Sequence, residues 1–168
     1  MSETKCGDPV STPIADLIPN PRNPNTHSSE QIAALAKIID AQGWRAPIVV
    51  SNLSGFVVAG HGRLEAAKVL GLTEVPVDRQ DFKDEAHEWA HMVADNRIAE
   101  LAEIDNGVLK DLLTDMDTGA LDMDLTGYDN DALESLMTQF HVGEDKGEQE
   151  DNTANATKCP KCGHEFTL

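Results

Sequence analysis

The sequence predicts an α/β (α+β) chain, and three features predict it. Two short runs rich in β-branched residues, 47–51 (Pro-Ile-Val-Val-Ser) and 56–59 (Phe-Val-Val-Ala), are separated by Asn52-Leu-Ser-Gly and read as a hairpin. Segments with apolar residues three and four apart lie on both sides of them and read as helices. The second half carries several more such segments and little strand signal. A length of 168 residues fits one compact domain with a tail.

The first residues, 1–10, are polar and expected to be disordered. Residues 14–18 read as a short edge strand. It ends at Pro19-Asn-Pro-Arg-Asn-Pro-Asn, where three prolines deny both a helix and most ladder hydrogen bonds, so an extended loop is expected. Ser28 is a good N-cap, with Gln31 three residues on to complete a capping box. Ile32, Leu35, Ile38 and Ile39 follow at helical spacing, and Gly43 supplies the stop. After the hairpin, Gly60-His-Gly-Arg breaks the second strand and residues 63–70 form a helix that Gly71 ends. Residues 73–77 form another strand, placed at an edge or a strand end because of Pro76. A long helix is predicted over 83–102, with Ala86, Trp89, Ala90, Val93, Ile98 and Leu101 inward. Further helices follow over 106–116 and 130–140, the last with Leu133, Leu136 and Met137 on one face and a turn at 121–128 before it. Residues 143–157 hold no apolar side chain but alanine and cannot bury a core, so a flexible linker is expected over 141–157.

Charge divides the chain. Residues 1–80 carry eight acidic and seven basic side chains, whereas 81–151 carry 21 acidic and four basic ones, within a total of −17. That balance excludes an electrostatic DNA clamp over the whole surface. Few rings (Trp 2, Tyr 1, Phe 4) argue against a stacking platform for single-stranded bases. Three cysteines cannot make a disulfide framework. Neither a membrane span nor a signal peptide is evident, so a cytoplasmic protein without membrane contact is expected.

Three features carry chemistry. Residues 56–67 read strand, glycine turn, helix. The N–H groups of a helix's first turn attract anions, Gly60 and Gly62 let backbone approach a phosphate, and Arg63 offers a fork of donors beside His61. A purely structural turn, with Arg63 paired to a carboxylate, explains the same residues. Asp95-Asn96-Arg97 place a carboxylate and an amide where Mg²⁺ and a nucleotide can be held, or are ordinary exposed helix positions. Cys159-Pro-Lys-Cys162-Gly-His164 is a zinc knuckle, complete only with a fourth ligand. His87 and His91 sit four apart, which is metal-ligand spacing, but with Glu88-Trp-Ala between them they read as an ordinary amphipathic turn. No Ser/His/Asp or Cys/His nucleophile set can be assembled.

Taken in order, Ile18-Pro-Asn-Pro-Arg-Asn-Pro-Asn, the capped helix ending at Gly43, Pro47-Ile-Val-Val, Val57-Val-Ala-Gly-His-Gly-Arg-Leu-Glu-Ala-Ala and Leu70-Gly-Leu-Thr-Glu-Val-Pro-Val resemble the ParB/sulfiredoxin superfamily. The resemblance is to its N-terminal ParB-like nuclease domain. Asp95-Asn-Arg-Ile-Ala-Glu and Leu125-Thr-Gly-Tyr resemble the phage and mobile-element branch, in which the domain often precedes a DNA methyltransferase or stands alone. It spans residues 11–140.

The resemblance implies a small mixed sheet with flanking helices: an α/β part over 11–80 and an acidic helical part of the same domain over 81–140. The cysteine spacing by itself marks a knuckle-like tail over 158–168. The resemblance also implies a nucleotide site at Gly60, His61, Gly62, Arg63, Asp95 and Asn96, with Arg63 matching an arginine shared by ParB proteins and sulfiredoxins. Asp95-Asn96 fall where ParB proteins carry a Glu-Asn pair that contacts triphosphate and metal. Two departures stand out. His61 replaces the catalytic cysteine of sulfiredoxins, which argues against sulfinic-acid reduction. His61-Gly62 replace the Glu-Arg of ParB clamps, which bears on CTP specificity. No helix-turn-helix reader is evident.

Two readings follow. In the first, the chain binds a nucleoside triphosphate, CTP or ATP with Mg²⁺, and acts in DNA transactions as a nucleotidase or nuclease. Water would attack a phosphate, Arg63 and the helix N-terminus would stabilise charge, Asp95 would help hold the metal, and His61 would move the proton. In the second, the chain is not an enzyme: its acidic half and zinc-binding Cys159, Cys162 and His164 dock a basic or DNA-bound partner such as a methyltransferase, whereas the first reading allows direct contact with DNA. Both leave a homodimer open.

Overall fold

The computed structural model describes residues 4–139, together with the backbone of 156–158 and 165–167. It divides into two units, Met1–Asn130 and Asp131–Leu168.

The first unit is a five-stranded mixed sheet in the order β1 (Val10–Pro13), β5 (Glu74–Gln80), β3 (Ile48–Ser51), β4 (Phe56–Ala59), β2 (Ile18–Pro19), with one helix packed on it and a second packed on that helix. Strand β1 (Val10–Pro13) lies antiparallel to β5 (Glu74–Gln80), with Thr12 opposite Val75. The segment expected as one strand over 14–18 is instead a 3-10 turn, Ile14–Asp16, followed by the two-residue β2 (Ile18–Pro19) beside β4. The strand signal lies four residues earlier than its apolar residues suggest. At a solvated edge, backbone pairing rather than side-chain burial fixes the strand, while Leu17 and Ile14 turn into the core. Ahead of it, the Gly7 N–H donates to the buried carboxylate of Asp78 at 3.1 Å.

Helix α1 (Ser29–Gln42) starts as expected: the Ser28 hydroxyl accepts the Gln31 N–H at 3.2 Å. The reciprocal half of the capping box does not form, because Gln31 Oε1 is 3.0 Å from His27 Nδ1. Gly43, at φ 73°, ends the helix and donates to Ile39 O at 2.8 Å.

The hairpin of β3 (Ile48–Ser51) and β4 (Phe56–Ala59) forms where predicted, with a bulge between Val49 and Val50. Helix α2 (His61–Val69) begins two residues earlier than residue 63, because Gly60 adopts the left-handed φ of 93° and turns the chain straight from strand into helix. Strand β5 runs three residues past the expected Val77 and lies inside the sheet, between β1 and β3. Pro76 is tolerated there because β3 pairs only with residues 77–80, so the proline faces a ladder on one side alone.

The core is Leu17, Ile48, Val50, Val57, Leu64, Ala67, Val75 and Val77. A second cluster of Ala36, Ile39 and Ala66 joins α1 to α2, and Trp44 packs against both.

Helices α3 (Glu85–Glu100) and α4 (Asn106–Met116) follow, capped by Asp84 and Asp105. The face expected inward on α3 is not the one buried. Glu88 and Met92 are buried, while Ala86, Ala90, Val93, Ile98 and Leu101 are exposed. A 3-10 turn, Met123–Thr126, is tied to α1 by Lys37, which bridges Asp122 at 2.8 Å and also Asp124.

In the second unit, α5 (Asn130–Gln139) matches the expected last helix, and β6 (Ala156–Lys158) pairs antiparallel with β7 (Glu165–Thr167). Cys159, Cys162 and His164 lie outside the described residues. No helix among the described residues is long and apolar enough to cross a membrane.

Candidate functional site

Strand β4 delivers its last residue, Ala59, to the mouth of a cavity of about 220 Å³. All six residues expected at a nucleotide site line it: Gly60, His61, Gly62 and Arg63 from the strand–helix turn, and Asp95 and Asn96 from α3. Sequence reasoning missed Asn23 and Asn25 from the proline-rich loop, and His27 and Gln31 at the start of α1. Their signal was the density of amide side chains in a segment that cannot form a ladder.

The turn has an uncapped helix start. No side chain caps α2, and its first intrahelical bond is Leu64 N–H to Gly60 O, at 3.0 Å. The glycines have reasons within the protein. Position 60 needs its positive φ, and a β-carbon there would come within 3.0 Å of Arg63 Nη2. A β-carbon at 62 would meet Leu35 Cδ1 at 3.1 Å and His27 Cε1 at 3.2 Å. Gly62 therefore lets α1 approach α2, a packing role that the expectation of phosphate approach did not include.

Arg63 is half-buried. Its Nη2 donates to Pro47 O at 3.1 Å, and its buried Nε has no hydrogen-bond partner among the described residues. Burial lowers the guanidinium's affinity for its proton, and the carboxylate of Asp95 acts in the opposite sense. An arginine stays cationic in a protein, so this charge is partly desolvated with no hydrogen-bonded carboxylate beside it. Asp95 is exposed, and Asn96 Nδ2 donates to Met92 O at 2.9 Å, leaving its carbonyl oxygen toward other partners.

His61 is held rather than presented. Its Nε2 accepts the Asn20 backbone N–H at 3.3 Å. Burial lowers its pKa, as does His27, against the opposing effects of Glu65 and a backbone hydrogen bond with Val57. Asn20 is buried, and its Oδ1 accepts the Arg22 N–H at 2.9 Å. The Arg22 guanidinium lies 4.3 Å over the Trp89 ring. The loop is thus fastened to α2 through His61 and to α3 through Trp89, with the cavity between.

The remaining sequence candidates lie apart. His87 Nδ1 meets Asp84 Oδ1 at 2.6 Å, and the His91 ring packs 5.5 Å from Phe82. Among the described residues, no group of three His, Cys, Asp or Glu side chains is placed to hold a metal ion.

Known proteins agree with this fold. The ParB N-terminal domain model matches residues 2–104. The chain is 41% identical over 68 residues to the ParB-like nuclease domain-containing protein YnaK of Escherichia coli (strain K12), covering 40% of this chain and 77% of that protein. It is 32% identical over 100 residues to the nucleoid occlusion protein of Geobacillus thermodenitrificans (strain NG80-2), covering 57% of this chain but only 36% of that protein. The fold is also that of the C-terminally truncated chromosome-partitioning protein ParB from Caulobacter crescentus, solved with CTP-gamma-S. The TM-score is 0.63 and the identity 22%, over 82% of this chain and 81% of that one. With the mixed sheet, the strand–glycine–helix turn and this match over more than half its length, the chain belongs to the ParB N-terminal domain family.

Proposed function

We propose that the chain binds a nucleoside triphosphate, with phosphates at the Gly60, His61, Gly62 and Arg63 turn and Mg²⁺ held with help from Asp95 and Asn96, and acts in DNA transactions. The observation that carries this is Arg63: a half-buried cation with one protein acceptor, at the start of a helix that no side chain caps. A desolvated guanidinium and free helix N–H groups are complementary to one ligand class, a polyanion. CTP comes first among nucleotides because the Caulobacter protein was solved with its analogue, and ATP second. Bound Mg²⁺ would neutralise phosphate charge, and the oxygens of Asp95 and Asn96 suit it, since this ion keeps most of its ligands as water and phosphate.

Any hydrolysis, whether of nucleotide or DNA, would use Arg63 and the helix N-terminus to stabilise charge developing on phosphate oxygens. His61 as proton carrier would first have to release the Asn20 N–H, so we place it as a support of the loop in the resting site. Calorimetry with CTP or ATP and Mg²⁺ tests the proposal: wild type should bind and Arg63→Ala should lose at least about tenfold in affinity, a charge-assisted bond or two. No heat with any nucleotide overturns it. A plasmid-nicking assay with and without Mg²⁺ tests nuclease chemistry separately.

A second reading is favoured by exposed apolar side chains in an acidic stretch: Ile98, Leu101, Ile104, Val108 and Leu112 are each more than half exposed. Such a patch marks an interaction site. It suits a homodimer contact, or docking of a DNA-bound protein such as the methyltransferases that often follow the domain in the phage and mobile-element branch. For the tail, we propose zinc at Cys159, Cys162 and His164; a metal assay finding no zinc per chain removes that part.

A further inference from the structure

Glu88 is 1% exposed, a carboxylate in the interior that the proposed site does not use. Two hydroxyls hold it: Ser51 Oγ donates to Oε2 at 2.6 Å and Ser54 Oγ to Oε1 at 2.9 Å. Ser51 ends β3 and Ser54 lies in the β3–β4 turn. Ser51 Oγ also accepts the Leu53 and Ser54 N–H groups at 3.1 and 3.3 Å, and Ser54 Oγ accepts the Phe56 N–H at 3.2 Å. Asn52 adds a tie at the same corner, donating to Asp81 Oδ1 at 2.8 Å. One carboxylate thus joins α3 to the hairpin whose second strand runs directly into Gly60.

Beside this anchor, α3 is held by the Arg22 guanidinium on the Trp89 ring and by Met92. Met92 is its one other buried residue, and its second half exposes Val93, Arg97 and Ile98. Apolar contacts hold a helix without setting its rotation or axial position closely, whereas two hydrogen bonds are directional. Asp95 stands seven residues after Glu88, about two helical turns and roughly 10 Å along the same face. Asn96 follows Met92 by four and bonds back to its carbonyl. The position of both cavity-lining residues is therefore referred to the Glu88 anchor.

We infer that Glu88 is a positioning residue for the nucleotide site: locked to Ser51 and Ser54, it sets where Asp95 and Asn96 stand across the cavity from Arg63. This rests on the nucleotide-binding reading above. The test is calorimetry of the full chain with CTP and Mg²⁺, comparing Glu88→Ala and Glu88→Gln in the wild-type and Asp95→Ala backgrounds. Glu88→Ala should weaken binding about tenfold in the wild-type background, the scale of a displaced charged hydrogen bond. In the Asp95→Ala background its effect should fall to about threefold or less, because the positioned group is gone, while its Tm loss stays the same in both. Glu88→Gln, which keeps one acceptor for a serine hydroxyl, should recover most of the affinity. Equal losses in both backgrounds, a Glu88→Gln variant as weak as Glu88→Ala, or a folded Glu88→Ala variant with unchanged affinity would each overturn the inference. Should Glu88→Ala fail to fold, Ser54→Ala replaces it, with a smaller loss that must likewise shrink without Asp95. The wild-type titration separates the two readings: binding there leaves the site reading intact whatever the variants do, and its absence overturns both.

Discussion

The hydrogen of Gly62 points at the His27 and Leu35 side chains, with a virtual β-carbon only 3.1–3.3 Å from their atoms. Gly62→Ala requires the Leu35 and His27 side chains to give by a few tenths of an ångström. The expected cost is about 1–3 kcal/mol, seen as a lower urea midpoint with an unchanged m-value. His61 gives a pH signature. Its folded pKa lies below the ordinary 6.5, so as pH falls the unfolded chain takes up the proton first. This contribution to stability is complete above about pH 6.5 and declines as pH drops from there toward the folded value. A charged imidazole cannot accept the Asn20 N–H, so the loop loosens with it. His61→Gln should flatten that part of a Tm-against-pH profile; an unchanged slope would mean that another group titrates. That these six residues line one cavity was legible from the ordered motifs shared with ParB-like domains, because a lone Gly-x-Gly or an Asp-Asn pair on a helix says little by itself. Asn23, Asn25, His27 and Gln31 were not, since nothing in a loop sequence says which way an amide points.

Elements read well where a local device sets them. Ser28 and Gly43 bound α1 as its sequence predicts, and Ser28→Ala should cost about 0.5–2 kcal/mol of stability, measurable by thermal unfolding, through loss of one cap bond. The β3–β4 hairpin was equally plain. Elements were misread where tertiary pairing decides. The β1 strand, Val10–Pro13, has exposed side chains for most of its length and exists because β5 offers an edge. The burial of α3 could not be inferred from apolar periodicity, because its most deeply buried side chain is a carboxylate and most of its apolar ones, Met92 apart, face outward. Such an inversion is expected where an element serves a site rather than a core.

At the scale of the molecule, a net charge of −17 opposes any anion approaching from afar, while Arg63 attracts it at close range. Salt screens the distant repulsion more than the contact. The association rate of CTP at fixed Mg²⁺ should therefore rise as NaCl goes from about 0.02 to 0.15 M, where the Debye length shortens to about 8 Å. A fall in rate would show that local positive potential outweighs the acidic half, and stopped-flow measurement distinguishes the two. The charge division that made this visible was fully legible in the sequence.

Of the two indoles in the chain, Trp44 is packed between the core clusters and Trp89 carries the Arg22 guanidinium on its face. That second ring touches the proline-rich loop from α3, the helix that also carries the cavity-lining Asp95 and Asn96. Any movement of the loop changes the electric field on Trp89 and leaves Trp44 as a steady background, so the chain contains its own optical gauge of loop position, readable by emission wavelength without a label.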